Sequence, residues 1–193
     1  EQQVLKESVG IQDQIMASYA GLQVIEMGPG DQWKTSKVLL PHDYEKSLED
    51  HVLLGFSGIS RIANENAKRK IENIEKGNSL NHLKEIMELA RHGIESFSAQ
   101  EDFEKIGGLL DASWKLKQEL AEGVTDDWMD DLYQIAIRNG AFGGKLMGAG
   151  GGGFFFFIAP PEKHEKIKAA LSSIKVWVPF KLDRSGSEVI FAN

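Results

Sequence analysis

The stretch Gly143-Gly144-Lys145-Leu146-Met147-Gly148-Ala149-Gly150-Gly151-Gly152-Gly153 runs directly into Phe154-Phe155-Phe156-Phe157-Ile158. Seven of the chain's 20 glycines fall in those first eleven residues, too many for ordinary loop composition. Glycine admits positive φ and close approach to the main chain, and it costs stability where neither is needed. Successive free N–H groups in such a turn form a concave, partly positive surface that suits phosphate oxygens. A tight turn between two strands needs one or two glycines. The stretch therefore points to a phosphate or nucleotide site.

The common glycine motifs can be tested against this context. Residues 148–153 formally satisfy G-x-G-x-x-G, but the dinucleotide fingerprint must open a helix. Here a run of phenylalanines follows, which predicts a buried strand. A Walker A loop requires Ser or Thr after Gly-Lys, and Leu146 stands there instead. Both common phosphate-loop folds are disfavoured, while the phosphate idea survives.

The bulk numbers exclude several function classes. A chain of 193 residues can hold one sizeable core or two small ones. The formal net charge of −7 argues against a nonspecific nucleic-acid or anionic-membrane surface. With no cysteine, disulfides, thiolate metal sites and a cysteine nucleophile are ruled out. No apolar run reaches the length of a spanning helix, so no membrane is expected and a cytoplasmic location is the default. Oligomeric state is left open.

Periodicity predicts helices from Ser8 to Tyr19, Asp43 to Glu49, Ser60 to Glu75, Leu80 to Ser96, Glu101 to Ala121, Asp126 to Asn139 (with Thr125 as N-cap) and Pro161 to Ser172. Strands are expected over Leu22–Met27, Trp33–Leu40, His51–Phe56, Phe154–Ile158, Val176–Lys181 and Ser187–Phe191. Strands, a block of helices, then strands again suggest an α+β fold, an antiparallel sheet covered on one side by helices.

Asp13 is the first candidate for chemistry, because the macrodipole at a helix entry favours a carboxylate. Its setting, Gly10-Ile11-Gln12-Asp13-Gln14 followed by Ser18-Tyr19-Ala20-Gly21, resembles the catalytic-aspartate segment of the GHMP kinases. Lys145 to Phe154 resembles that superfamily's third motif, K-L-T/L-G-A-G-G-G-G-F, with Met147 in place of the usual Thr or Leu. Two matches in the correct order are more specific than either alone. Phe56-Ser57-Gly58-Ile59-Ser60-Arg61, Ser113-Trp114-Lys115-Leu116-Lys117, Ala141 to Leu146 and Val178-Pro179-Phe180 are similar to segments of the sugar-1-kinase branch that acts on D-glycero-D-manno-heptose 7-phosphate.

The resemblance implies ATP-dependent phosphorylation of a sugar's anomeric hydroxyl, with that heptose 7-phosphate as acceptor, in the supply of nucleotide-activated heptose for surface glycans. A fucose or galactose kinase of the same superfamily is the alternative, and a catalytically silent binding module is the reading from another class. On the enzyme reading Asp13 orients or deprotonates the attacking hydroxyl, consistent with a reaction that asks chiefly for positioning and charge neutralisation. Gly148, Ala149, Gly150, Gly151 and Gly152 would lie beside the nucleotide phosphates. Gln14 would hydrogen-bond the sugar, and Arg61 would hold a substrate phosphate, a helix-start ion pair being its other reading. Lys145 reads as structural, or as a solvated residue at a helix end.

The same resemblance implies that residues 1–50 end an N-terminal kinase domain, while 51–193 form the C-terminal domain with a ferredoxin-like subdomain. The family's P-x-x-x-G-L-x-S-S loop, which holds the triphosphate and helps bind Mg2+, has no match in these 193 residues. The expectation is a C-terminal portion of a longer kinase, with Mg2+ ligands mostly elsewhere and little activity alone. The five histidines show no metal-binding spacing. Asp126, Asp127, Asp130 and Asp131 read as an acidic helix start facing solvent, and Trp114 and Tyr133 as packing residues.

Overall fold

The computed structural model describes residues 10–30, 32–59, 80–119, 127–147 and 152–191. The expected helix over 60–75, Arg61, Thr125 and Gly148 to Gly151 lie outside the described residues.

The first elements are helix α1 (Gln12–Ser18) and the hairpin of β1 (Gln23–Met27) and β2 (Trp33–Lys37). Gly28-Pro29-Gly30 turns this antiparallel pair, closed by the Gly28 N–H donating to Gln32 O at 2.8 Å. Helix α2 (His42–His51) follows Pro41 and leads into β3 (Val52–Phe56). A helical hairpin comes next, α3 (Leu80–Ser98) and α4 (Phe103–Glu119), then α5 (Asp127–Arg138). The chain closes with β4 (Gly143–Leu146), β5 (Phe154–Ile158), a 3-10 turn at Pro161–Lys163, α6 (His164–Ala170) and β6 (Val176–Val178).

Four strands form one antiparallel sheet in the order β4-β5-β3-β6. From β3 onward the succession is strand, helices, two strands, helix, strand, with the first and third strands central. This is the ferredoxin-like arrangement that the family resemblance implied. β3 and β5 sit innermost because they are the most apolar runs, Val52-Leu53-Leu54-Gly55-Phe56 and the phenylalanine run.

The helices cover both faces of the sheet, whereas segregation of elements suggested one. Phe155 and Phe157 are fully buried in one core with Leu53, Leu146, Met129, Leu132, Tyr133, Ile167 and Leu171, contributed largely by α5 and α6. Residues of opposite parity, Val52 and Ile158, enter a second core with Leu48, Phe103 and Ile106, and Phe156 packs against it. Two covered faces explain why the run is continuously apolar rather than alternating, since alternation signals one solvated face. Trp114 on α4 is 1% exposed, and the Tyr133 hydroxyl donates to Asp111 Oδ1 at 2.6 Å. Both are packing residues.

Two strand expectations differ from the structure. β6 stops at Val178 because Pro179 has no N–H for the ladder. Beyond it, Phe180 and Leu182 pack against the second core. There Glu49 accepts from Lys181 Nζ at 2.6 Å and from the Leu182 N–H at 3.0 Å. Residues 187–191 form no strand, and Val189 and Ile190 are 85% and 95% exposed. β-branched composition alone does not make a strand when no edge is alongside.

Candidate functional site

The glycine stretch divides into parts with different work. Gly143 and Gly144 belong to β4, where the backbone of α4 lies against the strand. A Cβ on Gly143 would stand 1.9 Å from Gly107 O, and one on Gly144 would stand 2.5 Å from Phe156 O. These two glycines serve close packing. Gly152 and Gly153, at the far end, have φ of +155° and +115°, conformations that favour glycine. Residues 148–151 complete the β4–β5 connection.

Both ends of that connection are held. The Met147 N–H donates to Phe154 O at 2.8 Å, closing the hairpin. The Gly153 N–H donates to Ile59 O at 3.0 Å, and Gly153 O accepts from the Ser57 N–H at 2.9 Å. Ser57 is 4% exposed, and its Oγ accepts from the N–H groups of Ile59 at 3.3 Å and Gly153 at 3.2 Å. Gly152 packs on the same carbonyl, since a Cβ there would stand 2.5 Å from Ile59 O. Ser57 thus fastens the loop to the end of the central strand β3. Ser57→Ala is expected to cost about 1 kcal/mol, because it strips the part-buried Ile59 N–H of its acceptor while the Gly153 N–H keeps Ile59 O. A denaturant titration checks this, and an unchanged midpoint would contradict the fastening role.

Lys145 sits one strand residue before the end of β4, paired in register with Phe156. Its neighbours Gly144 and Leu146 turn toward the first core, where Leu146 is fully buried. Strand alternation therefore sends the Lys145 side chain to the opposite face. It is half-buried there, and among the described residues its ammonium makes no hydrogen bond or contact ion pair. Burial pushes its pKa below the ordinary lysine value, and the negative charge of Asp13 pulls it part of the way back. A solvated helix end is the wrong description: Lys145 is a half-buried strand residue.

Asp13 lies in the first turn of α1 with an exposed side chain, and Gln14 follows it on the exposed surface. Buried Ile15 is the residue that seats this seven-residue helix. The charge of Asp13 acts on Lys145, which stands three residues before Gly148 in sequence. Asp127, Asp130 and Asp131 lie on or beside the start of α5, and among the described residues no three His, Asp or Glu side chains gather where they could hold a metal ion. An apolar cavity of about 340 Å3 opens in the second core, lined by residues such as Leu48, Phe97, Ile106, Phe156 and Leu182. Neither Asp13, Lys145 nor Gly152 borders it, and its walls do not suit a phosphate.

The part Ser57 plays in holding the loop was not legible in the sequence. Ser57 carries a weak signal, a serine-glycine pair directly after an apolar strand, with Gly58 at φ +82°.

Known proteins share this architecture. Residues 86–175 match the family model described as GHMP kinases C terminal. A D-glycero-alpha-D-manno-heptose 7-phosphate kinase of Campylobacter jejuni is 31% identical over 161 residues, covering 83% of this chain and 47% of that protein. The bifunctional fucokinase/GDP-fucose pyrophosphorylase of Arabidopsis thaliana is 29% identical over 153 residues, 77% of this chain and 14% of the relative. In fold, the chain superposes with a TM-score of 0.70 on a D-glycero-D-manno-heptose 1-phosphate kinase from Bacteriodes thetaiotaomicron, at 20% identity, covering 96% of this chain and 50% of that one. The chain thus spans about half the length of the heptose kinases it matches. No helix among the described residues is long and apolar enough to cross a membrane. The ferredoxin-like topology, the matched residues and these relatives agree: the chain belongs to the GHMP kinase family and carries its C-terminal domain.

Proposed function

We propose that the chain forms the acceptor-activating and C-terminal part of an ATP-dependent sugar kinase that phosphorylates the anomeric hydroxyl of D-glycero-D-manno-heptose 7-phosphate. The observation that carries this reading is the 31% identity to the Campylobacter jejuni heptose 7-phosphate kinase over 83% of this chain, together with two motifs in the family's order, the Asp13 turn and the stretch from Lys145 to Phe154. The charge of Asp13 on α1 acts on Lys145, three residues before Gly148. Phosphoryl transfer needs a nucleophile aligned by one group and a cradle for the phosphoryl oxygens, and the two motifs supply one each.

In this mechanism the Asp13 carboxylate accepts a hydrogen bond from the anomeric hydroxyl and takes its proton as the oxygen attacks the γ-phosphorus. Gln14, one residue on, hydrogen-bonds the sugar. The backbone of residues 148–152 lies along the phosphates, and Ser57 keeps its far end in place. Arg61, four residues after Ser57 in sequence, is assigned to the acceptor's 7-phosphate. Mg2+ would neutralise charge on the triphosphate. It commonly binds through one or two carboxylates plus substrate phosphates, so the nucleotide itself would hold it in part. Residues 1–50 then close the N-terminal domain, and 51–193 form the C-terminal one.

The test is ADP release by the product of the full reading frame, given Mg-ATP and a panel of acceptors. Turnover is expected with the heptose 7-phosphate, and clearly less with fucose or galactose. Preference for fucose would favour the second reading, which the similarity to the Arabidopsis enzyme motivates. No ADP release with any acceptor would leave the binding-module reading.

A further inference from the structure

Helix α1 bears Asp13 and is seven residues long. A helix that short is marginal on its own, so tertiary contacts must set its place. Buried Ile15 seats one side of it. A segment much later in the chain holds its C-terminal end. The Ser187 N–H donates to Ser18 O at 3.2 Å, and Ser187 Oγ donates to Ala17 O at 3.2 Å. Carbonyls in a last helical turn lack partners within the helix, and one residue serves these two. The Gly21 N–H, just past the helix, donates to Asp183 O at 2.7 Å.

The turn between those contacts is shaped for close approach. Asp183 Oδ1 accepts from the Ser185 N–H and Oδ2 from the Gly186 N–H, each at 3.1 Å, a local turn that aspartate favours. These bonds hold the Asp183 carboxyl below the ordinary aspartate pKa. Gly186 has φ of +65°, and a Cβ there would stand 2.8 Å from Ser18 O and 3.1 Å from Ala20 N. Conformation and space both favour glycine there. The segment is anchored on its other side as well. Arg184 Nη2 donates to Glu45 Oε2 on α2 at 2.7 Å, and Leu182 packs on the second core. Helix α2 runs directly into the central strand β3. Residues 182–187 thus tie the aspartate helix to the frame of the sheet.

We propose that the turn from Asp183 to Ser187 is a clasp that positions α1 and thereby sets the aim of Asp13 at the acceptor hydroxyl. The inference rests on the role proposed for Asp13 and deepens it. Asp183, Gly186 and Ser187 are positioning residues: Asp183 shapes the turn, Gly186 admits it against the helix, and Ser187 takes the free carbonyls. Ser18 lies roughly 7.5 Å along the axis from Asp13, so the clasp works through the orientation of α1 and not on the reacting atoms. Phosphoryl transfer depends steeply on that orientation, since about 1 Å of misplacement can cost ~100-fold.

The test uses the full-length protein with Mg-ATP and saturating acceptor. Gly186→Ala drives a Cβ against Ser18 O, and a fall in kcat of about 10- to 100-fold is expected, with the KM for ATP nearly unchanged. Amide hydrogen exchange should quicken at Ile15 and Tyr19, whose N–H groups bond within α1, and stay as in wild type along β3 and β5. Asp183→Ala should lose comparably, while Asp183→Asn, which keeps one acceptor oxygen, should recover part. In an Asp13→Ala background, Gly186→Ala should leave the residual turnover nearly unchanged, because the group it misplaces is already gone. An equal fold-loss in both backgrounds marks a general defect and overturns the inference. Wild-type kcat, or wild-type exchange at Ile15 and Tyr19, in folded Gly186→Ala does the same. Should Gly186→Ala not fold, the Asp183 pair carries the test, and equal turnover by Asp183→Ala and wild type overturns the clasp. Absence of ADP release by the wild-type protein with every acceptor is the separate signature of a failed kinase reading, and it takes the positioning role with it.

Discussion

Replacing Asp13 with alanine is expected to cut phosphoryl transfer by at least ~100-fold, the lower end for a positioned acid or base. That factor is about 2.7 kcal/mol of transition-state stabilisation. Stability cannot account for such a loss. Asp13 is exposed, and α1 is seated by Ile15 rather than by the aspartate. Removing a carboxylate from a first helical turn costs roughly 0.3–1 kcal/mol at an exposed site. The variant should melt close to wild type and fail in turnover.

Asp13→Asn separates two versions of the role. Asparagine keeps the shape and can still accept a hydrogen bond, but it cannot take a proton. If proton transfer matters, it should fall nearly as far as alanine. Removing the carboxylate also takes away the charge that raises the Lys145 pKa against burial, so the ammonium should release its proton at lower pH in both variants. Steady-state ADP release with saturating heptose 7-phosphate reads the first effect, and a pH titration of the Lys145 side chain by NMR reads the second. Wild-type-like turnover by Asp13→Ala would sink the assigned role.

What the sequence displayed was local, and what it hid was non-local. The phenylalanine run, the helices over 80–98, 103–119 and 127–138, and the catalytic-aspartate turn all carry their signal within one short window. The α+β class followed from their order. The place of Lys145 did not, because it depends on the register that sets it against Phe156 and on α1, about 130 residues earlier. From sequence it reads as structural, or as a solvated residue at a helix end. Ser57 is similar, since its partner is the N–H of Gly153, 96 residues later. Glu49 meets Lys181 across 132 residues, and only folding pairs them. Apolar composition also misled at 187–191, where a strand needs an edge that local pattern cannot provide.

The same limit applies to the glycines, and a substitution inside one close contact, set against one just outside it, exposes it. Gly143→Ala is expected to destabilise at or beyond the upper end of the ~1–3 kcal/mol typical of overpacked sites. The new Cβ would lie 1.9 Å from Gly107 O and 2.6 Å from Gly107 C, both backbone atoms that no rotamer change can move. Relief requires α4 to shift away from β4, and α4 carries Phe103 and Ile106 in one core and Trp114 in the other. Gly108→Ala, one residue along the same helix from Gly107, is the control. Its Cβ would meet nothing within 4 Å, so the substitution should stabilise by about 0.5–1 kcal/mol through helix propensity. Denaturant midpoints for the two variants should move in opposite directions. If Gly143→Ala instead folds like wild type and raises only the KM for ATP, the first glycines of the stretch serve nucleotide binding, and the division between packing glycines and loop glycines is wrong. Loss of fold with the KM for ATP unchanged in the remaining folded fraction would place Gly143 with the core and leave the phosphates to residues 148–152.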